Sequence, residues 1–130
     1  PMTVNVSGDP LNTGQSNARA NYLGGSKTLS NPTLNQWFNT QAFAAPAAYT
    51  PGNLGYGTFL GPGTVNWDFS AYKTFAITEH HRLQFRTEFF NVMNHPNLGN
   101  PGLTIGTANL GKITTASDPR VLQFGLKYQF

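Results

Sequence analysis

The chain has 130 residues and a formal net charge of +3, from eight basic and five acidic residues. Charged residues make up only 10% of the chain and hydrophobic residues 38%, both less than ordinary soluble domains contain. The basic residues are scattered, which argues against a nucleic-acid-binding patch, and the 13% of aromatic residues argue against a disordered chain.

Cysteine is absent, so neither a disulfide nor a thiolate metal site can form. The shortage of charged and hydrophobic residues is filled by Gly, Pro, Asn, Thr, Ser and Gln, a composition that suits β-structure and turns and argues against long helices. No stretch approaches the roughly 20 consecutive apolar residues of a membrane helix. The sequence begins with Pro1 rather than Met, so we expect a processed product or an excised fragment.

Residues 1–63 are interpreted as a loop-rich segment with few short elements. A short strand is possible at Thr3–Val6, before a turn. The stretch Leu34–Phe43 is predicted to be a short helix or turn, and its aromatic side chains are more readily explained by loop packing than by ligand binding. Prolines and glycines exclude any long regular element from Ala44–Gly63.

Residues 64–130 are predicted to be an antiparallel β segment. Apolar and polar residues alternate along 65–77, 82–92 and 120–130, and four polar residues at 78–81 join the first two runs. Side chains of a strand point alternately to opposite faces, so the pattern predicts a hairpin and a third strand, each with one apolar face. Short strands are also possible at 103–105 and 112–114.

The predicted apolar face is the candidate functional surface, because it must be covered by lipid or by another chain. Lys73 is the single charged residue with the apolar parity of the first strand. The residues expected to form this face and to make assembly contacts are Trp67, Phe69, Phe75, Leu83, Phe85, Phe89, Leu122, Phe124, Leu126, Tyr128 and Phe130.

A soluble sandwich and a membrane barrel both contain alternating strands, and further features favour the barrel. The second and third predicted strands have about 11 residues, enough to cross a bilayer as tilted strands. Aromatic residues lie near the strand ends, and a short turn at 78–81 is followed by a long loop at 93–119. Short turns on one side and long loops on the other are typical of outer-membrane barrels.

Nine segments of the chain carry a resemblance to a known family: Asn31–Thr33, Gln36–Asn39, Ala42–Phe43, Gly61–Gly63, Asn66–Asp68, Lys73–Phe75, Arg82–Asn91, Asn94–Asn97 and Gln123–Phe130. Together they resemble the carboxyl end of TonB-dependent receptor-like proteins, most closely the Oar-like group with a carboxypeptidase-regulatory-like amino-terminal domain. The likeness covers roughly residues 30–130, and the closing strand resembles the terminal strand whose final Phe is read by the barrel-assembly machinery.

This resemblance implies an outer-membrane location and a topology. The last strand would end in the periplasm, which places the turn at 78–81 in the periplasm and the loop at 93–119 outside the cell. Residues 1–63 would then be largely extracellular. Receptors of this family resemble one another in having a plug domain, a TonB box and a closed barrel of many strands. The chain supplies only a few strands and no plug, so we expect no transport by the chain alone.

The sequence predicts neither catalysis nor a cofactor. Three residues of metal-ligating type are adjacent in the sequence, Glu79, His80 and His81. Because adjacent side chains of an extended chain point in opposite directions, a polar turn is favoured over a metal site. No two acidic residues are spaced to act as an acid and a base on one element, and no nucleophile motif is present. We therefore expect no enzyme, no metal site and no nucleic-acid partner.

Two hypotheses of function follow. In the first, the chain is the carboxyl-terminal part of a TonB-dependent outer-membrane transporter barrel, inert alone, whose partners are the rest of the barrel and lipid. In the second, it is a processed fragment that pairs with its own copies into an extracellular β-rich structural filament, because an open sheet has two unpaired edges. A small soluble binding module is a third and weaker alternative.

Overall fold

The computed structural model describes the whole chain, residues 1–130. It confirms an all-β fold of open, mostly antiparallel sheets, in which the only helical element is a single 3-10 turn at Thr40–Ala42. No helix is long and apolar enough to cross a membrane. The strands are β1 (Asn5–Val6), β2 (Ala18–Arg19), β3 (Asn21–Tyr22), β4 (Thr28–Thr33), β5 (Gln36–Phe38), β6 (Phe43–Ala44), β7 (Phe69–Ala76), β8 (Arg82–Phe90), β9 (Thr104–Ile105) and β10 (Val121–Gln129).

The chain divides into two compact units, of which unit 1 comprises residues 1–62 and 98–115, and unit 2 comprises residues 63–97 and 116–130. Residues 98–115, which the sequence analysis grouped with the strand segment, thus pack in unit 1. Strand β9 pairs with β1 in parallel, and the Gly111 carbonyl accepts a hydrogen bond of 2.8 Å from Trp37 N. These backbone hydrogen bonds join segments that are far apart in the sequence.

Unit 1 has a hydrophobic core although most of its strands are only two residues long. The ring of Phe38 is 1% exposed and lies 4.9 Å from that of Phe59 and 5.7 Å from that of Phe43, measured between centroids. Phe38 and Phe43, whose side chains were predicted to pack, are therefore core residues, although both lie in short strands rather than in a loop. The core cluster comprises Met2, Val4, Val6, Ala20, Phe38, Ala42, Phe43, Leu54 and Phe59.

The prediction of a short helix or turn over Leu34–Phe43 is only partly correct. Gln36–Phe38 forms strand β5, paired antiparallel with β4, and only the 3-10 turn that follows is helical. The side-chain oxygen of Asn39 accepts a hydrogen bond of 3.2 Å from Gln41 N and so caps that turn. Tertiary hydrogen bonding to the strand decides the conformation here. No strand forms at 112–114, where Ile113 N bonds to the Leu34 carbonyl instead.

Two local features of unit 1 depend on single residues. A Cβ atom at Gly52 would lie 2.0 Å from the Arg19 carbonyl oxygen, so only glycine allows the backbones to approach there. Hydrogen bonds from the backbone N–H groups of Thr13 and Gly14 hold the pKa of the exposed Asp9 carboxyl below its ordinary value, although partial desolvation opposes them. The carboxylate thereby stabilises the turn that it begins.

Unit 2 contains one three-stranded antiparallel sheet with strand order β10-β8-β7. Its strands are somewhat shorter than the predicted 65–77, 82–92 and 120–130. Between β7 and β8, the His81 carbonyl accepts hydrogen bonds from the N–H groups of Ile77 (2.8 Å) and Thr78 (3.2 Å), which close a tight turn. Strand β8 is central, so β7 and β10 each leave one edge unpaired.

Candidate functional site

The register of the unit 2 sheet sorts its side chains onto two faces. Residues that are directly opposite one another share a face, and successive residues alternate. The apolar face is formed by Phe69, Ala71, Lys73 and Phe75 of β7, Leu83, Phe85, Thr87 and Phe89 of β8, and Leu122, Phe124, Leu126 and Tyr128 of β10. The other, mostly polar face is formed by Ser70, Tyr72, Thr74, Ala76, Arg82, Gln84, Arg86, Glu88, Gln123, Gly125, Lys127 and Gln129, with the apolar pair Phe90 and Val121 at its end, and is here called the polar face.

Aromatic contacts bring the predicted apolar residues of all three strands together. The Phe89 ring lies 6.1 Å from that of Phe69 on β7 and 6.4 Å from that of Phe124 on β10. Phe85 and Phe124 stack with their centroids 6.3 Å apart. Trp67 lies just outside the strands, where its carbonyl accepts a hydrogen bond of 2.8 Å from Val92 N and prolongs the pairing. The predicted residues thus form a continuous surface, except for Trp67 and the terminal Phe130, which extend beyond the strands.

This apolar face is exposed. Leu126 is 69% exposed and Phe124 63%, whereas Leu83 and Phe89 on the central strand are partly covered by their neighbours. Fully burying a Leu or Phe side chain is worth about 1.5–3 kcal/mol, so seven such roughly half-exposed side chains forfeit on the order of 10 kcal/mol in water. Those seven are Phe69, Phe75, Phe85, Leu122, Phe124, Leu126 and Tyr128. The face therefore requires an apolar neighbour.

The polar face carries most of the charge of the sheet. Arg86 Nη2 lies 2.7 Å from Glu88 Oε1, the only ion pair in the structure. Gln84 Nε2 donates to Thr74 Oγ1 across the strands at 3.5 Å. Gly125 lies directly opposite Arg86, and its missing side chain leaves room beside the guanidinium stem. One face is thus suited to water and the other to an apolar medium.

A network of amide side chains, of which those of Asn91 and Asn97 are buried, closes the end of the sheet opposite the tight turn. Asn91 is 6% exposed and has a left-handed φ of 50°, which asparagine adopts more readily than most residues. Its side chain accepts from His95 N (3.0 Å) and donates to the carbonyls of His95 (3.1 Å) and Asp118 (3.4 Å). Its own N–H donates to Asp68 Oδ1 at 3.0 Å. Asn91 therefore joins the end of β8 to the segments before β7 and β10.

Two further asparagines complete this network, here called the asparagine cluster (Asn91, Asn94 and Asn97 with Asp68). Asn97 Oδ1 accepts from Val65 N at 2.8 Å, and the Asn97 carbonyl accepts from Ser117 N at 2.7 Å. Asn94 Oδ1 accepts from Arg120 N at 3.0 Å. The cluster brings together the two ends of the long connection between β8 and β10. In the sequence these asparagines stand out only within the segments that carry the family resemblance, and their close spacing after a predicted strand is the signal that points to them.

A shallow cleft of about 490 Å³ lies beside the asparagine cluster, where β8 ends and β10 begins. Its lining combines carboxyl groups of Asp68 and Asp118 with the apolar side chains of Phe90 and Val121. Beside the tight turn, Tyr128 Oη of β10 lies 2.7 Å from Nδ1 of His81 in the turn, and the two rings stack. No group of three or more His, Asp or Glu side chains is arranged to hold a metal ion.

A family model described as an outer membrane beta barrel domain matches residues 1–123. No curated protein and no solved structure matches the chain. The family match spans both compact units and reaches into β10, and it agrees with a sheet that has one apolar and one polar face. It confirms the outer-membrane barrel predicted from the sequence, together with the outer-membrane location. The chain therefore belongs to the outer membrane β-barrel domain family.

Proposed function

We propose that the chain forms part of the barrel wall and extracellular surface of a TonB-dependent outer-membrane transporter, and that it has no catalytic role. The observation that carries this proposal is the two-faced sheet of β7, β8 and β10. In outer-membrane barrels the outward face is apolar and contacts lipid, whereas the inward face is polar and lines the lumen. The nine-residue strands β8 and β10 are close to the roughly 9–11 residues that a tilted spanning strand needs.

The connections support one orientation of this sheet. Four residues at 78–81 follow the predicted first strand, whereas the connection from β8 to β10 contains all of 98–115 from unit 1. Short turns of outer-membrane barrels are periplasmic and long loops extracellular. In this proposal the tight turn lies in the periplasm, and the asparagine cluster lies at the extracellular end, where it anchors the long loop to the barrel wall.

The TonB-dependent class is supported by the resemblance of the sequence around β8 and the asparagine cluster to that family. The sheet has two unpaired edges, so transport requires neighbouring strands on both sides. We infer that the chain contributes wall, loop and lumen surface, and that the remaining barrel supplies closure. The positively charged Arg82, Arg86 and Lys127 on the polar face would line the lumen.

Cysteine labelling tests the orientation, because the chain has no cysteine of its own. The full-length protein would carry either Thr107→Cys in the long connection or His80→Cys in the tight turn. In intact cells a membrane-impermeant maleimide should label the first variant, and it should label the second only after the outer membrane is permeabilised. Labelling of His80→Cys in intact cells would contradict the orientation. Failure of the full-length protein to bind the periplasmic domain of TonB would contradict the transporter class.

A second candidate, self-assembly into an extracellular β-rich filament, is favoured by the fully exposed edge strand β10. An unpaired edge recruits further strands, and a head-to-tail contact that does not close yields a filament. Electron microscopy of the concentrated chain without detergent tests this. Regular filaments would support self-assembly, whereas partitioning into lipid vesicles without filaments would support the barrel wall alone. A monomer that stays soluble in water would contradict both candidates.

A further inference from the structure

Lys73 is a charged residue in the middle of the apolar face. It lies on β7 directly opposite Phe85, and Leu126 continues the same row on β10. Its side chain is exposed, and no acidic side chain of the chain pairs with it. An unpaired ammonium group beside lipid is costly, so such residues extend toward the membrane surface, where phosphate groups and water are available.

The register shows how far Lys73 lies from Tyr128, an aromatic residue in the row of the apolar face nearest the tight turn. Tyr128 lies one row nearer the turn, in the row of Phe75 and Leu83, so it is two residues further along the strand direction. Two residues of a strand span about 6.7 Å, and a tilt of about 40° reduces this to roughly 5 Å along the membrane normal. The flexible four-carbon stem of Lys73 covers such a depth and brings the ammonium group to the level of Tyr128.

Tyr128 and His81 supply a second polar group at that level. When Tyr128 Oη donates to Nδ1 of His81, the imidazole proton lies on Nε2, which is free to donate to an acceptor. Phe75 and Leu83 lie between Lys73 and Tyr128 and offer an apolar floor. Two strand spacings of about 4.8 Å separate β7 from β10, a distance that the two long side chains bridge across one phosphate group.

We propose that Lys73 and the Tyr128–His81 pair bind the phosphate of an anionic phospholipid in the inner, periplasmic leaflet of the outer membrane. The acyl chains of this lipid lie over Phe75, Leu83 and Phe85. The charge of Lys73 on an otherwise uncharged face selects an anionic occupant, and the apolar floor selects a lipid. This proposal rests on the orientation given under the proposed function, but not on transport.

The test uses the full-length protein in nanodiscs that contain phosphatidylglycerol and phosphatidylethanolamine. Native mass spectrometry after release into mild detergent counts the phosphatidylglycerol molecules that the protein retains. Lys73→Met should reduce retention about fivefold, the effect of one Lys at an anionic surface, while Lys73→Arg should restore it. Lys127→Met is the matched control, because it removes a lysine from the polar face and should leave retention unchanged. Folding of each variant is checked by heat-dependent gel mobility.

Equal retention by folded Lys73→Met and wild-type protein would overturn the proposal. So would equal losses for Lys73→Met and Lys127→Met, which would indicate a general effect of charge. Lower thermal stability of Lys73→Met with unchanged lipid retention would mean that an acidic residue of a neighbouring strand pairs with Lys73 instead. Labelling of His80→Cys in intact and permeabilised cells separates the two proposals: a turn labelled in intact cells overturns both, whereas a periplasmic turn with unchanged retention overturns only this one.

Discussion

Replacement of Asn91 by Ala is expected to loosen the attachment of the long connection to the sheet. The substitution removes side-chain bonds to both backbone groups of His95 and to the Asp118 carbonyl. Leaving a buried polar group unpaired costs about 1–3 kcal/mol, and a left-handed conformation costs an alanine about 1–2 kcal/mol more. We therefore expect a loss of about 2–5 kcal/mol in the free energy of unfolding.

Urea titration in detergent micelles measures this loss in a Trp37→Phe background, where Trp67 is the fluorescent reporter, because its carbonyl pairs with the residue that follows Asn91. Asn91→Gly is the matched control: it loses the same hydrogen bonds but accepts the left-handed backbone, so it should be less destabilised than Asn91→Ala. Hydrogen exchange at the His95 amide should accelerate in both variants. Wild-type stability and wild-type exchange in Asn91→Ala would refute the role assigned to the asparagine cluster.

Three further predictions concern other parts of the chain. Gly52→Ala should lower the stability of unit 1 by about 3 kcal/mol, because its Cβ would overlap a backbone oxygen, whereas Gly63→Ala, which meets no atom within 4 Å, should be neutral in thermal unfolding. In lipid vesicles, Leu126→Arg should lower the free energy of unfolding by about 2–4 kcal/mol, whereas Gln123→Arg on the polar face should change it little. Equal effects of the two substitutions in urea titration would contradict the assignment of faces. Backbone N–H donors lower the pKa of Asp9 in the folded state. The carboxylate therefore contributes to folding stability above the unfolded-state pKa, and this contribution is lost as the pH falls through the folded-state pKa. The amide NMR shift of Gly14 should follow that loss, and in Asp9→Asn it should not.

The interpretation of the sheet as a membrane-facing wall depends on where its apolar side chains lie. An exposed surface of this size would destabilise a soluble monomer by an amount comparable to the whole stability of a small domain, about 5–15 kcal/mol. In a barrel wall, lipid covers the apolar face and a water-filled lumen adjoins the polar face, so this destabilisation is avoided. The same exposed residues explain why the chain, without neighbouring strands, is expected to pair with its own copies.

The strands of unit 2 could be predicted from the sequence because their signal is local. Alternation of apolar and polar residues needs only the two-residue period of a strand, and every residue from Phe69 to Ala76 lies on the face that its parity predicts. The tight turn at 78–81 could also be predicted from the sequence, because four polar residues between two alternating runs are typical of a hairpin connection. The identity of the apolar face was thus determined by the sequence.

The packing of unit 1 was decided only by tertiary structure. Its strands are too short to show a period, and its core joins residues as distant as Val4 and Phe59. Gln36–Phe38 became a strand because β4 and the Gly111 carbonyl supply its hydrogen bonds. The asparagine cluster was likewise decided by tertiary structure. The sequence shows that a buried amide side chain needs hydrogen-bond partners, but only the fold of the backbone around Asn91 determines which groups they are.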